Sequence, residues 1–213
     1  MLFSKSVFST VVTWSTEGMK ILNFYSSTAM NSTTAFLIPS SLPVLKEKGL
    51  TKCFLLYRGS QDGFTAQSFH AKCDSHTPTL TIIKTSGHDP QIFGGYTTQT
   101  WNPVNGNYKR DSESFIFKYH DSKCMFEILP NSDSSTGEAI YAMPNNLTCF
   151  GGGCDFSIAD KCNENKKSYC NLGYSYTIPQ SLSNFQHEDA EVRSYLAGSK
   201  NFKVSEIEVY KVN

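Results

Sequence analysis

The sequence predicts an α+β, mainly β fold: a two-layer antiparallel β-sandwich flanked by a few short helices. Three observations predict it. Short apolar or alternating segments recur at roughly 10–15-residue spacing between Gly, Pro, Ser and Asn clusters, the punctuation of a sheet-rich core. Helical periodicity is confined to a few short stretches. Aromatic residues make up 13% of the 213 and charged ones only 18%, which argues for a packed core rather than a disordered chain.

Residues 1–50 are the least regular part. Val11-Val12, Ile21-Leu22 and Phe36-Leu37-Ile38 alternate with Ser/Thr/Asn clusters. Met19, Leu22 and Tyr25, spaced at three, predict a short helix. Pro39 to Pro43 breaks the chain, and Val44 to Gly49 reads as one helical turn closed by glycine. The continuous apolar run Cys53 to Tyr57, bounded by Arg58-Gly59-Ser60, suits a buried strand. Asp62 is placed to cap a helix from about Phe64 to Lys72, with Ala66, Phe69 and Cys73 on one face. Thr79–Lys84 and Gln91–Tyr96 read as strands joined by the turn-rich Ser86 to Pro90. Phe115, Phe117 and Tyr119 alternate, as do Cys124, Phe126 and Ile128. Ala139–Met143 and Phe156–Ala159 are further short strands. Glu188–Ala197 predicts a helix with Val192, Tyr195 and Leu196 on one face, stopped by Gly198.

In the last strand the apolar residues sit at even positions (Phe202, Val204) and then at odd ones (Ile207, Val209). One inserted residue explains the change of phase, so a β-bulge is predicted near Ser205-Glu206. Residues 1–45 are expected to form an N-terminal extension packing on or near a single domain of residues 46–213.

Nineteen basic residues balance nineteen acidic ones, which argues against a phosphate-neutralising DNA or RNA binder. No run of roughly 18 apolar residues exists to span a bilayer. The segment Met1 to Thr13 lacks the continuous apolar core of a secretory signal. A cytoplasmic protein is expected, with mitochondrial or ciliary placement as the alternatives. Seven cysteines, an odd count, then read as reduced thiols. The sequons at Asn31 and Asn146 carry little weight in so Ser/Thr-rich a chain.

Tests for chemistry come back empty. Zinc needs ligand pairs two to four residues apart; Cys149, Cys154, Cys162 and Cys170 hold no Cys-x-x-Cys and no neighbouring histidine. There is no Gly-x-Ser-x-Gly elbow, so His70, His76, His88, His120 and His187 lack a recognisable nucleophile and read as surface or capping residues. Gly151-Gly152-Gly153 is followed by a strand pattern rather than a phosphate-binding helix. It reads as a bulge or a close backbone approach, as does Gly94-Gly95. Asp155, Asp160, Asn163 and Asn165 do not fit a calcium loop and read as an Asx-rich turn. Lys109-Arg110 and Lys166-Lys167 read as solvated charge pairs. No catalytic, cofactor-binding or metal-binding residue is assigned.

The order of the motifs says more than any one of them. Leu55-Leu56-Tyr57-Arg58-Gly59-Ser60-Gln61-Asp62-Gly63-Phe64 is followed by Ile92-Phe93-Gly94-Gly95-Tyr96, Trp101, and Ser112-Glu113-Ser114-Phe115-Ile116-Phe117. Then come Phe150-Gly151-Gly152-Gly153 leading into Phe156-Ser157-Ile158, and Phe202 to Tyr210. In this order the chain resembles a TLDc domain over about residues 45–212. Glu113 matches an acidic position of the family, although the glycines that usually precede it are replaced. The stretch from Asp160 to Tyr176 is similar to protist members.

The resemblance implies a β-sandwich flanked by helices with no enzymatic activity and no cofactor. It implies a protein-binding role, with the V-ATPase peripheral sector or a larger assembly, such as a cytoskeletal one, as partner, and a link to oxidative-stress protection. The alternative is a thiol-based redox protein. That would need a low-pKa thiolate beside a cation, for which Cys73 (after Lys72) and Cys170 (near Lys166 and Lys167) are the candidates. For Glu113 the competing expectation is that it only orients a loop through backbone hydrogen bonds.

Overall fold

The computed structural model describes residues 8–15, 18–25, 42–50, 52–104, 106–120, 123, 125–132 and 137–213. The chain divides into two compact units, Met1–Cys53 with Asn213, and Phe54–Val212. In the first, β1 (Phe8–Ser15) and β2 (Gly18–Tyr25) form an antiparallel hairpin that pairs Phe8 with Tyr25 and Ser15 with Gly18. This corrects the helix expected from Met19, Leu22 and Tyr25. The runs hold Val11, Val12, Ile21 and Phe24, and β-branched and aromatic residues favour extended backbone. Helix α1 (Pro43–Glu47) starts with Pro43, and Gly49 lies just beyond it at φ 74°, as the sequence predicts.

The second unit holds β3 (Cys53–Arg58), α2 (Gly59–Asp62), α3 (Ala66–Cys73), β4 (Thr79–Thr85), β5 (Ile92–Thr97), β6 (Tyr108–Arg110), β7 (Phe115–His120), β8 (Met125–Pro130), β9 (Glu138–Tyr141), β10 (Asn146–Phe150), β11 (Phe156–Ala159), β12 (Ser168–Cys170), α4 (Ala190–Ser194), β13 (Asn201–Phe202) and β14 (Val204–Val212). They build two six-stranded sheets, one in the order β3-β14-β4-β5-β7-β8 and the other β13-β12-β11-β10-β9-β6. This is the mainly β sandwich that the sequence predicts. Cys124, expected to alternate with Phe126 and Ile128, lies outside the described residues.

The closing segment differs from a single bulged strand in one respect. Asn201–Phe202 pairs with β12 in one sheet, whereas Val204 onward pairs with β4 in the other. The chain thus switches sheets at Lys203. The expected bulge is present, as a register shift between Val204 and Glu206. It turns Glu206, Glu208 and Tyr210 to the face opposite Ile207 and Val209. Helix α4 is shorter than predicted, but Val192 and Leu196 are fully buried and Gly198 ends the segment at φ 78°.

Aromatic rings join the sheets. Phe93 of β5 meets Phe156 of β11 edge to face at 5.3 Å, and Trp101 meets Phe150 at 5.4 Å. Each such ring is completely buried and contributes ~2 kcal/mol of apolar burial. The indole of Trp101 donates to Thr79 Oγ1 at 3.1 Å, so its polar end is satisfied. The close approach predicted at Gly94-Gly95 is real: a Cβ on Gly95 would lie 2.6 Å from the Phe150 ring, and one on Gly94 2.0 Å from the Thr81 carbonyl oxygen.

Candidate functional site

Two segments far apart in the chain meet at the end of β3. At the turn α2, Asp62 Oδ2 accepts from the Arg58 backbone N–H at 2.8 Å, and Lys72 Nζ lies 2.8 Å from Asp62 Oδ1. Tyr57 donates its hydroxyl to the Gly63 carbonyl at 2.6 Å. From β14, Glu206 Oε1 accepts from the Ser60 and Ile207 backbone N–H groups at 3.1 and 3.0 Å. Glu208 accepts from Arg58 Nε at 2.7 Å and from the Tyr210 hydroxyl at 2.8 Å. The Glu208 side chain is 1% exposed and that of Arg58 14%. Burial pushes the Glu208 carboxyl above its ordinary range, against the pull of Tyr210 and Arg58. Ser60, Gln61 and Gly63 are exposed on this braced turn.

Asp62 therefore caps backward, onto Arg58, and not the helix expected after it. Gly63 at φ 89° redirects the chain, and Thr65 becomes the N-cap of α3, accepting from Ser68 N–H at 3.2 Å. The predicted face of Ala66, Phe69 and Cys73 is buried as expected.

A second braced turn lies between β6 and β7. Asp111 accepts from Thr97 Oγ1 (2.7 Å), Thr98 N–H (2.6 Å), Thr98 Oγ1 (3.0 Å) and Glu113 N–H (3.0 Å). The Asp111 carboxylate, which sequence reasoning missed, thus orients this loop and holds the Glu113 backbone; the Glu113 side chain is exposed. Lys109 is not a solvated charge either: its ammonium donates to the Thr100 and Asn102 carbonyls at 2.5 and 3.0 Å, and burial holds its pKa below the ordinary value.

The third structure is built on the triple glycine. Asp155, completely buried, collects four backbone N–H groups: Gly173 (2.8 Å), Tyr174 (3.1 Å) and Tyr176 (3.2 Å) on Oδ1, and Ser175 (2.9 Å) on Oδ2. Gly151, at φ 92°, passes so close that a Cβ there would lie 2.0 Å from Asp155 Oδ2. The close backbone approach read from the triple glycine is therefore present. Beyond Asp155 the chain enters strand β11 rather than a helix.

Three family-like segments thus form three loops, each tied down by a buried carboxylate. A model of the TLDc domain matches residues 23–213, nearly the whole chain. The chain belongs to the TLDc family. No curated protein matches it.

In this TLDc domain two of the cysteines depart from the expectation of reduced thiols, whereas Cys73, Cys162 and Cys170 are free. Cys149 and Cys154 are joined by a disulfide, with Cα atoms 5.5 Å apart. The three glycines, with Cys154 at φ 53°, let the chain fold back within five residues. Replacing both cysteines by alanine is expected to cost ~2 kcal/mol in urea unfolding, the low end for a short loop. At both redox candidates burial outweighs the nearby cation, Lys72 for Cys73 and Lys118 for Cys170. Cys73 and Cys170 are fully buried, and burial pushes both thiols well above their ordinary pKa. Lys72 is spent on Asp62.

Of the calcium candidates, Asp160 and Asn165 form the expected Asx-rich turn, in which Asn165 Nδ2 donates to the Asp160 and Lys161 carbonyls at 3.0 and 2.8 Å. Asp160 Oδ1 accepts from Ala66 N–H at 2.7 Å, and Asn165 Oδ1 accepts from Lys167 N–H at 2.9 Å in an Asx turn. Among the described residues, no three His, Cys, Asp or Glu side chains converge as metal ligands. His70 is held between Asp74 (Nδ1, 2.7 Å) and the Met143 and Asn146 carbonyls (Nε2, 2.9 and 3.0 Å). The sequon amide of Asn146 donates to Ser157 Oγ at 2.9 Å. No helix among the described residues is long and apolar enough to cross a membrane.

Proposed function

We propose that this TLDc domain is a non-enzymatic protein-interaction module, with the V-ATPase peripheral sector as its partner or a larger assembly as the setting in which it docks. One observation carries the reading. The exposed turn Ser60–Gly63 is fixed from beneath by Glu206, Asp62 and the Tyr57 hydroxyl. A surface ordered before the partner arrives saves the entropy of ordering it on binding. The carboxylates are spent on backbone and on Arg58, so their chemistry is that of positioning.

The experiment is retention of the full chain on reconstituted peripheral sector at physiological salt, comparing wild type with Gln61→Trp. Wild-type retention that the exposed substitution abolishes, at unchanged melting temperature, supports the proposal. Failure of the wild type to retain any partner protein overturns it.

A further inference from the structure

Lys118 of β7 stands directly across the ladder from Glu127 of β8. Opposite charges in that relation ordinarily pair. Here they do not. The Glu127 carboxylate is taken by His120 Nε2 at 2.9 Å and by the Tyr195 hydroxyl. The Lys118 ammonium donates instead to the Tyr195 carbonyl at 2.5 Å and lies 4.6 Å from the centre of that ring. Among the described residues no ion pair reaches it. It is also half-buried, and burial lowers its pKa against the fields of Cys170, Glu127 and Asp89.

A cation withdrawn from water without a counter-ion costs stability. Such a group facing a cavity is a functional candidate. Lys118 lines a pocket of about 340 Å³ together with Pro90, Gln91, Ile92 and His120. An ammonium has three N–H donors, and the Tyr195 carbonyl takes one. The acidic Asp89 also lines the pocket; it is exposed and already accepts from Gln91 Nε2 at 2.9 Å.

We propose that this pocket binds a carboxylate group, with Lys118 as its counter-ion. The ammonium N–H groups not given to the Tyr195 carbonyl are left for the carboxylate oxygens, and Pro90 provides apolar wall for a short alkyl chain. The volume is at the small end for ligand pockets, which limits the occupant to a small carboxylate or one acidic side chain. The inference is independent of the protein-interaction reading, because that reading rests on the Ser60–Gly63 turn and none of its residues lines this pocket.

The test uses the full chain and three probes: glutarate, the capped peptide acetyl-Gly-Glu-Gly-amide, and inorganic phosphate. Binding is followed calorimetrically and by the 13C signal of the Lys118 ε-carbon. Glutarate or the peptide should bind and move that signal, and Lys118→Met should weaken binding at least tenfold. Glu127→Gln, which removes a neighbouring negative charge, should preserve or strengthen it. Binding of glutarate assigns a free acid and binding of the peptide alone assigns a protein side chain; both support the proposal. It is overturned if neither carboxylate binds at about 10 mM, too weak for a built site, or if phosphate binds as well as glutarate. It is equally overturned if Lys118→Met binds unchanged. Should Lys118→Met fail to fold, an unmoved Lys118 signal in the wild type on adding glutarate overturns it.

Discussion

Glu208→Ala is expected to destabilise the domain by about 3 kcal/mol, because removing one partner of a buried ion pair leaves the other charge uncompensated. The group that loses its carboxylate is Arg58, whose side chain is 14% exposed and whose Nε lies 2.7 Å from Glu208. The Tyr210 hydroxyl loses its acceptor as well. The pair itself is worth far less than this loss. Burial already pushes the Glu208 carboxyl above its ordinary pKa, so desolvation outweighs what Tyr210 and Arg58 return. The double substitution Arg58→Met/Glu208→Leu should therefore recover most of the stability lost in the single variant. Urea unfolding of the two variants decides it. A single variant within ~0.5 kcal/mol of wild type would show that the pair is effectively solvent-screened. Because Arg58 opens the turn that presents Ser60 and Gln61, Glu208→Ala should also weaken partner retention, whereas the double variant restores folding without restoring the original turn.

How much of this was legible depends on the range of the interaction. Phe115, Phe117 and Tyr119 alternate over a full strand, and strand period is a local signal, so β7 was readable. The bulge was readable too, because a phase shift between Val204 and Ile207 needs no knowledge of the partner strand. The three-residue strands β6 and β12 and the two-residue β13 carry too little sequence to show a period. The hairpin of β1 and β2 was misread because three apolar residues spaced at three occur in either conformation when polar residues lie between them.

The loops were legible as motifs and illegible as mechanisms. Gly151 announces a close approach, but its neighbour is the Asp155 carboxylate, whose own donors lie up to 21 residues further on. Asp111 likewise reaches back 13 residues to Thr98. A carboxylate that will gather backbone N–H groups looks the same in sequence as one that will stay solvated. The disulfide between Cys149 and Cys154 was missed for a related reason: an odd cysteine count and an assumed compartment are properties of the whole chain, whereas pairing is decided by a local turn that three glycines make possible. Lys118 shows the converse, since its cross-strand neighbour Glu127 is diverted by Tyr195 from a different element.

Asp155→Ala is expected to cost about 4 kcal/mol at pH 7, since the buried Ser175 and Tyr176 N–H groups and the partly buried ones of Gly173 and Tyr174 lose their acceptor, and each buried unsatisfied group costs ~1–3 kcal/mol. That is a large share of a total of ~5–15 kcal/mol, and the segment Gly173–Tyr176 should lose amide-exchange protection first. The cost should also depend on pH in a defined direction. Burial, opposed by the N–H groups of Ser175, Gly173, Tyr176 and Tyr174, pushes the Asp155 carboxyl up to about 6. Its folded value then lies above its unfolded one, so the folded state holds the proton more tightly. The pH-dependent part of the stability this group contributes is full below about pH 4 and is lost as pH rises through about 6. Other titrating groups are common to both proteins and cancel in the difference. The gap between wild type and Asp155→Ala should therefore widen on acidification from pH 7 to 4, by about 3 kcal/mol from a shift of roughly two units. Asp155→Asn should be milder and lack that pH dependence, because its oxygen still serves three of the donors while its amide opposes the Ser175 N–H. Paired urea titrations at the two pH values measure the gap. A gap that narrows on acidification would mean that the four N–H groups outweigh burial, and that the loop is held by a carboxylate ionised across the whole range.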